Sequence, residues 1–493
     1  MDLPSILRVI LLLLVGRYCG LELLKWLLKK VNPLIYETKL SPVVRLSLPP
    51  GDMGWPLIGN MWSFLRAFRS HDPDAFMRSF VSRYGRTGLY KGFMFGNPCV
   101  FVTTPETCKR VLNDDDSFTV GWPVSTVQLM GRKSFIGDMT YEEHKHLRRI
   151  TSSPINGPEA LSLYLSFIDD LVTSSLEAWA DSGPIEFLTR IRKLTFQIIM
   201  RIFVSAEGEE ATKTLEKEYT ALNYGVRAMA INLPGFAFHR ALKARRNLVA
   251  KLQSMITARR LKQSEGGHSM RDMMDILMNV EHGDGRKLTD EEIIDVMLMY
   301  LNAGHESSAH VTMWAVLFLQ EHPQFFQMAK EEQEAVVKRR SLTQKCLSLK
   351  EIREMDYLSK VIDETLRLVT FSSMVFREAK HDVELNGFVI PKGWRAIVWF
   401  RSVHLEPDVY PSPKAFDPER WQNYTAKAGT FLPFGAGSRL CPGNDLAKIE
   451  IAVFLHYFLL NYGLERVNPN CEVIHLPHPR PRDNCLAHLK RIC

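Results

Sequence analysis

The chain has 493 residues, of which 46% are hydrophobic, 24% charged and 10% aromatic, so it can bury a large core and is neither disordered nor collagen-like. Sixty-two Lys and Arg against 55 Asp and Glu leave a net charge of +7, with the basic residues in small scattered groups such as Lys243 to Arg246 and Lys338 to Arg340. A dedicated nucleic-acid binder would gather them on one element, so no nucleic-acid partner is expected.

From Leu3 to Leu28 the sequence is dominated by Leu, Ile and Val, with a clean run from Val9 to Val15, long enough as a helix to cross a bilayer. Arg8, Arg17, Glu22 and Lys25 interrupt it, so an amphipathic helix lying in the interface is the alternative. Lys25, Lys29 and Lys30 follow the apolar run and would hold the rest of the chain in the cytosol. We read residues 3–28 as a single-pass anchor. Residues 29–56 read as a basic, proline-rich hinge, because the prolines and glycines of Leu48 to Pro56 cannot propagate a helix or a sheet interior. No linker, low-complexity run or repeat divides residues 57–493, which are expected to form one large unit.

Within that unit, helical periodicity prevails from Asp74 to about Arg367, and strand-like runs are few, among them Cys99 to Thr103 and Arg395 to Trp399. The fold class is therefore mainly α with small β-sheets. The strongest single element opens at Thr289-Asp-Glu-Glu292, a capping box, and runs without proline to His322, where Pro323 stops it. Its middle holds Ala303-Gly-His-Glu-Ser-Ser308. A glycine there costs about 0.8–1.0 kcal/mol relative to alanine, and Glu306 interrupts an apolar stretch, so either packing or chemistry must compensate.

Eight cysteines without a C-x-x-C pair argue against a disulfide scaffold or a structural zinc site. One of them is special. Phe431 to Gly443 is a Gly-rich loop directly before the apolar helical run Asp445 to Leu460, yet it lacks both the P-loop and the dinucleotide pattern. It holds Cys441 in a proline- and glycine-shaped turn ahead of a helix N-terminus, where amides and the helix dipole stabilise a thiolate. A thiolate so placed is a metal ligand.

Phe434-Gly-x-Gly-x-Arg-x-Cys-x-Gly443 resembles the haem-binding signature of the haem-thiolate monooxygenases, the cytochrome P450 superfamily. Three further segments are similar to its signatures, in the order it requires: Ala303 to Ser308 for the oxygen-activating motif, Glu364-Thr-Leu-Arg367 for E-x-x-R, and Phe416 to Trp421 for the P-E-R-F segment. The resemblance spans Leu48 to the C-terminus. It implies the fold of that superfamily behind an anchor helix, and haem b with Cys441 as axial ligand. It also implies dioxygen as co-substrate and electrons from NADPH through the NADPH-cytochrome P450 reductase.

Carried over residue by residue, Phe434 resembles the ring that shields the sulfur and Gly443 closes the signature. Arg439, His144, Arg148 and Arg377 resemble propionate contacts, although many relatives carry Trp where His144 stands. Glu364, Arg367 and Arg420 resemble the ion-pair network that assembles the haem pocket. Gly304 would open room for dioxygen, while Glu306 and Ser307 would relay protons. The superfamily mostly has Thr at the Ser307 position. A zinc site from His144 and His146 is disfavoured, since i and i+2 on a helix do not face each other.

Longer stretches, among them Leu48 to Asn60, Ala221 to Ala230 and Asp483 to Leu486, are similar to one plant group of the superfamily. That similarity implies three successive oxidations of a carboxylated diterpenoid in gibberellin biosynthesis, at the endoplasmic reticulum membrane or the plastid outer envelope. Two alternatives are oxidation of a triterpenoid skeleton, β-amyrin-like or a limonoid precursor, and a haem isomerase or dehydratase that needs no reductase. The expected pocket stretches are Trp122 to Phe135, Tyr224 to Phe236, Leu301 to Ser308, Phe371 to Val375 and His475 to His478. Arg132, Lys133 and Arg227 are its candidate cations for a substrate carboxylate.

Overall fold

The computed structural model describes residues 17–492 apart from 136, 138, 206–208, 266–271, 282–284, 342, 343, 345, 423–426 and 477. Chain contacts divide it into two units, one of residues 1–121 and 374–403 and one of residues 122–373 and 404–493.

The first unit is built on a five-stranded sheet of β1 (Leu89–Met94), β2 (Asn97–Val102), β3 (Phe118–Val120), β4 (Met374–Ala379) and β5 (Arg395–Trp399), in the order β1-β2-β5-β4-β3. Its centre is apolar on both faces: every residue of β5 is buried, as are five of the six in β2. These two strands are the Cys99 and Arg395 runs, and they pair in parallel from Cys99 opposite Arg395 to Val102 opposite Val398. The proline-rich segment before the sheet is extended but fastened. Asn32 is buried and its side-chain amide donates to the carbonyls of Met53 and Trp55 at 3.0 and 2.7 Å. Gly51 lies so close to β1 that a Cβ there would stand 2.2 Å from the Lys91 carbonyl oxygen.

The second unit is helical. The helices that frame the site are α1 (Tyr141–Asn156), α2 (Phe187–Val204), α3 (Glu209–Val226), α4 (Asp290–Glu321), α5 (Asp356–Val369) and α6 (Asn444–Asn461). The long helix starts at the expected capping box: the Thr289 hydroxyl accepts from the Glu292 amide, and the Glu292 carboxylate accepts from the Thr289 amide at 2.8 Å. It is apolar around most of its circumference, and such a helix belongs in a core. It packs on α2, α5 and α6. Strands in this unit are short, the largest set being Ile185–Glu186, Leu486–Arg491 and Tyr462–Arg466.

Residues 17–29 are helical, with Tyr18, Leu21, Leu23, Leu24, Trp26 and Leu27 exposed. Among the described residues no helix is long and apolar enough to cross a membrane. Residues 3–16 of the expected anchor, with its run from Val9 to Val15, lie outside the described residues.

Candidate active site

Cys441 stands in the last turn of the glycine-rich loop, two residues before the Gly443 cap of α6. Gly435 and Gly437 take φ of +77° and +73°, which a side chain resists. The reversal they permit brings the Cys441 amide to the Phe434 carbonyl at 2.9 Å. Burial pushes the Cys441 thiol upward, while the Gly443 amide that bonds it and the nearby Arg148 charge oppose the shift. Arg148 of α1 donates to the Leu440 carbonyl, and Arg439 donates to the Phe135 carbonyl at 3.0 Å. His144 is buried with its ring edge-on to Phe135 at 5.6 Å, and Phe434 packs against the core. His146 points elsewhere, its Nε2 2.9 Å from the Glu281 carbonyl. Arg377 belongs to the sheet unit, buried on β4 opposite Ala396.

A residue the sequence did not single out fastens this loop. Asn156, at the end of α1, donates to the Pro442 carbonyl and to the Asn444 side chain at 2.8 Å, and its carbonyl accepts from the Leu446 amide. An asparagine at a helix end reads as a cap or turn residue, so its distant partners leave no local signal.

The helix α5, which packs on α6, carries a buried ion-pair network. Both Glu364 and Arg367 are fully buried. The Glu364 carboxylate accepts from Arg367 twice, at 2.7 and 2.9 Å, from the Arg420 Nε at 2.9 Å, the Asp417 amide at 3.1 Å and the Trp421 indole at 3.0 Å. The rest of the Arg367 fork donates to the carbonyls of His404, Pro413 and Ala415. Every polar atom of the pair is used.

The middle of α4 is different. Ala303, Gly304 and Ser307 form one accessible face on a helix that is otherwise mostly buried. The Ser307 hydroxyl donates to the Ala303 carbonyl at 3.2 Å. At Gly304 a Cβ would stand 2.9 Å from Cδ1 of Ile199 on α2, so close packing accounts for the glycine on that side. Glu306 turns away from this face to an ion pair with Arg192 of α2, with His305 and His310 at 3.8 and 3.5 Å. Burial works against its charge, but Arg192, His305, His310 and Arg227 together hold its carboxyl below the usual range. His310 donates from Nδ1 to the Glu306 carbonyl at 2.7 Å, and burial pushes its pKa down to about 4, so it is neutral at pH 7. On α6, Glu450 is buried facing Ser308 of α4, and desolvation raises its carboxyl to about 8. It is a neutral acid at pH 7.

Arg192, His310 and Glu450 also escaped the sequence reading. Each lies within an amphipathic or apolar run where a lone polar residue reads as a solvated face or a satisfied core group.

Residues 49–478 match the cytochrome P450 family. The chain belongs to that family, whose members carry haem held by a cysteine thiolate and act as monooxygenases. It is 63% identical over 473 residues to ent-kaurenoic acid oxidase 2 of Arabidopsis thaliana, covering 96% of each chain. To 7,8-epoxymelianol synthase of Ailanthus altissima it is 49% identical over 490 residues, 99% of this chain and 98% of that one. Among solved structures it is similar to a retinoic acid-bound cyanobacterial cytochrome P450, with a TM-score of 0.80 and 27% identity over 90% of this chain and 99% of the other.

The residues present fit a haem. Cys441 offers one soft donor bonded by a backbone amide, the guanidiniums of Arg148 and Arg439 flank its loop, and α4 presents an accessible face where only Ser307 carries a polar side chain.

Proposed function

We propose that this monooxygenase oxidises ent-kaurenoic acid in three steps to gibberellin A12. The observation that carries the reading is the 63% identity to an ent-kaurenoic acid oxidase along 96% of both chains. Cys441 would hold the haem iron through its thiolate and Phe434 would cover the sulfur, while Arg148, Arg439 and His144 would serve the haem's acid groups and the Gly443 amide would support the thiolate. When bound, the haem activates dioxygen and supplies the oxygen atom that enters the substrate.

The chain's own part is placement and proton supply. The accessible backbone of Ala303 and Gly304 bounds the oxygen side of the pocket, and the Ser307 hydroxyl holds a proton there. Glu306, ionised in its pair with Arg192, takes a proton from solvent water when it swings from that pair and passes it to the Ser307 hydroxyl, which gives up its own on the pocket side. Glu364, Arg367 and Arg420 set the pocket's shape and take no part in turnover.

Electrons come from NADPH through the reductase of the same membrane. Residues 3–28 anchor the chain in the endoplasmic reticulum, with 29–56 as the segment between anchor and the catalytic unit of 57–493. The exposed apolar residues of helix 17–29 support this. Release of the full-length protein by a carbonate wash would sink the anchor.

A triterpenoid substrate is the second reading, favoured by the 49% identity to 7,8-epoxymelianol synthase and by exposed Ser372 beside Phe371. The test gives microsomes containing the protein and a plant reductase either ent-kaurenoic acid or triterpenoid precursors, with products identified by mass spectrometry. Gibberellin A12 is expected from the first. Oxygenated triterpenoid alone, with ent-kaurenoic acid returned unchanged, would transfer the assignment to the second reading.

A further inference from the structure

Around Glu306, in the middle of α4, the helical unit gathers more positive charge than it neutralises. Arg192 takes Glu306. Arg227, in the turn after α3, holds its guanidinium 5.8 Å over the Phe371 ring, and Arg480 lies 5.9 Å over Tyr224, whose ring also faces Arg192 at 6.0 Å. Phe371 stacks on His478 at 3.8 Å, and His310 closes against both rings at 5.3 and 5.2 Å. Among the described residues Nε2 of the buried His310 has no hydrogen-bond partner, and the buried His478 ring has only the backbone of Phe371 to turn to. Glu306 is the carboxylate whose charge reaches Arg227, and it is already paired.

The two outer arginines share a second property. Arg227 donates only through Nη1, to the Asn223 carbonyl and side chain at 3.3 and 2.5 Å. Arg480 likewise donates only through Nη1, to the carbonyls of Leu476 and His478, leaving Nε bare. Among the described residues the Nε and Nη2 edge of each guanidinium is therefore unused, and that edge is the one whose two parallel N–H groups match a carboxylate. Arg227 is accessible to solvent, yet protein crowds it enough for desolvation to push its pKa down to about 10, as happens to a charge that lines an interior wall. It stays cationic at pH 7.

We propose that this cluster is the carboxylate anchor of the pocket: the Nε and Nη2 edge of Arg227 takes a terpenoid carboxylate bidentately, Arg480 adds charge beside it, and His478 on Phe371 forms the wall. The proposal rests on the reading of the substrate as a carboxylated terpenoid and names what recognises its acid group. Arg227 then sets which end of an otherwise apolar molecule enters first, since apolar walls discriminate weakly and a buried charge pair strongly.

The test uses the membrane-bound holoenzyme and follows the substrate-induced shift of the Soret band. Four probes are titrated: ent-kaurenoic acid, its methyl ester, a triterpenoid carboxylic acid and that acid's methyl ester. The wild type is expected to bind an acid at least about tenfold more tightly than its ester, as a charge-assisted bidentate pair implies. Arg227→Gln and Arg227→Leu should erase the preference while leaving ester binding and the carbon monoxide band of the reduced enzyme unchanged. Arg227→Lys should restore part of it, and Arg480→Gln should weaken it less than Arg227→Gln. Equal loss of acid and ester in the Arg227 variants would assign the residue to structure and overturn the proposal, as would a preference that survives them. If ent-kaurenoic acid fails but the triterpenoid acid is preferred over its ester, the diterpenoid reading falls and the anchor stands. If neither acid is preferred by the wild type, the anchor falls.

Discussion

Two clusters of arginine and glutamate, each centred on a buried carboxylate, lie in the same helical unit and solve the burial of charge in opposite ways. Around Glu364, five hydrogen bonds converge on one carboxylate and the Arg367 fork is spent on it and on three carbonyls. Around Glu306, one carboxylate is paired with Arg192 and feels the charge of Arg227, and among the described residues several ring and guanidinium nitrogens bond nothing. A saturated network has no capacity left for a ligand and acts as a rivet. An unsaturated one, which the fold maintains against the penalty of bare buried polar atoms, has capacity only a ligand or a moving proton can use.

The comparison predicts a graded series. Arg367→Ala should destabilise most, by about 3–5 kcal/mol, because it leaves a fully buried carboxylate without its main partner; failure to accumulate haem-loaded protein is the readout, and near-normal yield would contradict the rivet.

Glu450→Gln comes next and tests a third way of burying a carboxylate, by keeping its proton. Its carboxyl is raised from 4.5 to about 8, so the unfolded chain ionises first as pH rises. Native stability should fall between about pH 4.5 and 8, then level off. The amide cannot ionise, so Glu450→Gln should gain on the parent as pH rises across that window, by a few kcal/mol at pH 8. Equal thermal midpoints of parent and variant relative to each other at pH 5 and pH 8 would count against a protonated Glu450.

A smaller effect is expected where the carboxylate caps a helix end. Glu292 is held down to about 2: burial opposes this, but Arg286 and the Thr289 amide and hydroxyl outweigh it. Thr289→Ala should lose about 1 kcal/mol in denaturant melts at pH 7. The smallest is Arg227→Leu. Removing a solvent-accessible cation that no carboxylate pairs directly should change stability by less than about 1 kcal/mol, or raise it. A loss comparable to that of Arg367→Ala would erase the distinction between the two clusters.

Much of the architecture was legible because it rests on local rules. The capping box at Thr289, the proline at 323, the alternation of glycine and proline before α6 and the β-branched run of β5 each act within a few residues. Leu48 to Pro56 was legible as non-helical, but its attachment through Asn32 was not, since nothing near Asn32 names a partner more than twenty residues away. The same limit hid the Glu306 cluster. Glu306 itself was visible as a charge in an apolar helix, whereas Arg192 sits on α2 among basic residues that are solvated, and Arg480 on a two-residue strand. Asn156 and Glu450 were hidden for a further reason: their neighbours are ordinary for a helix end and for a core helix, and only the third dimension makes them unusual. For Gly304, the resemblance assigned the residue to the oxygen site, and Ile199 at 2.9 Å adds a packing reason that sequence could not supply.

The clamp formed by Asn156 bears on the order in which the chain can assemble. It joins a helix end to a loop 286 residues later, a contact whose closure entropy is met only after most of the intervening chain has found its place. The turn that shapes Cys441 therefore cannot settle early in synthesis. A nascent chain stays unable to retain its cofactor until nearly all of it has left the ribosome, and any truncation before α6, however well folded upstream, ends as apoprotein.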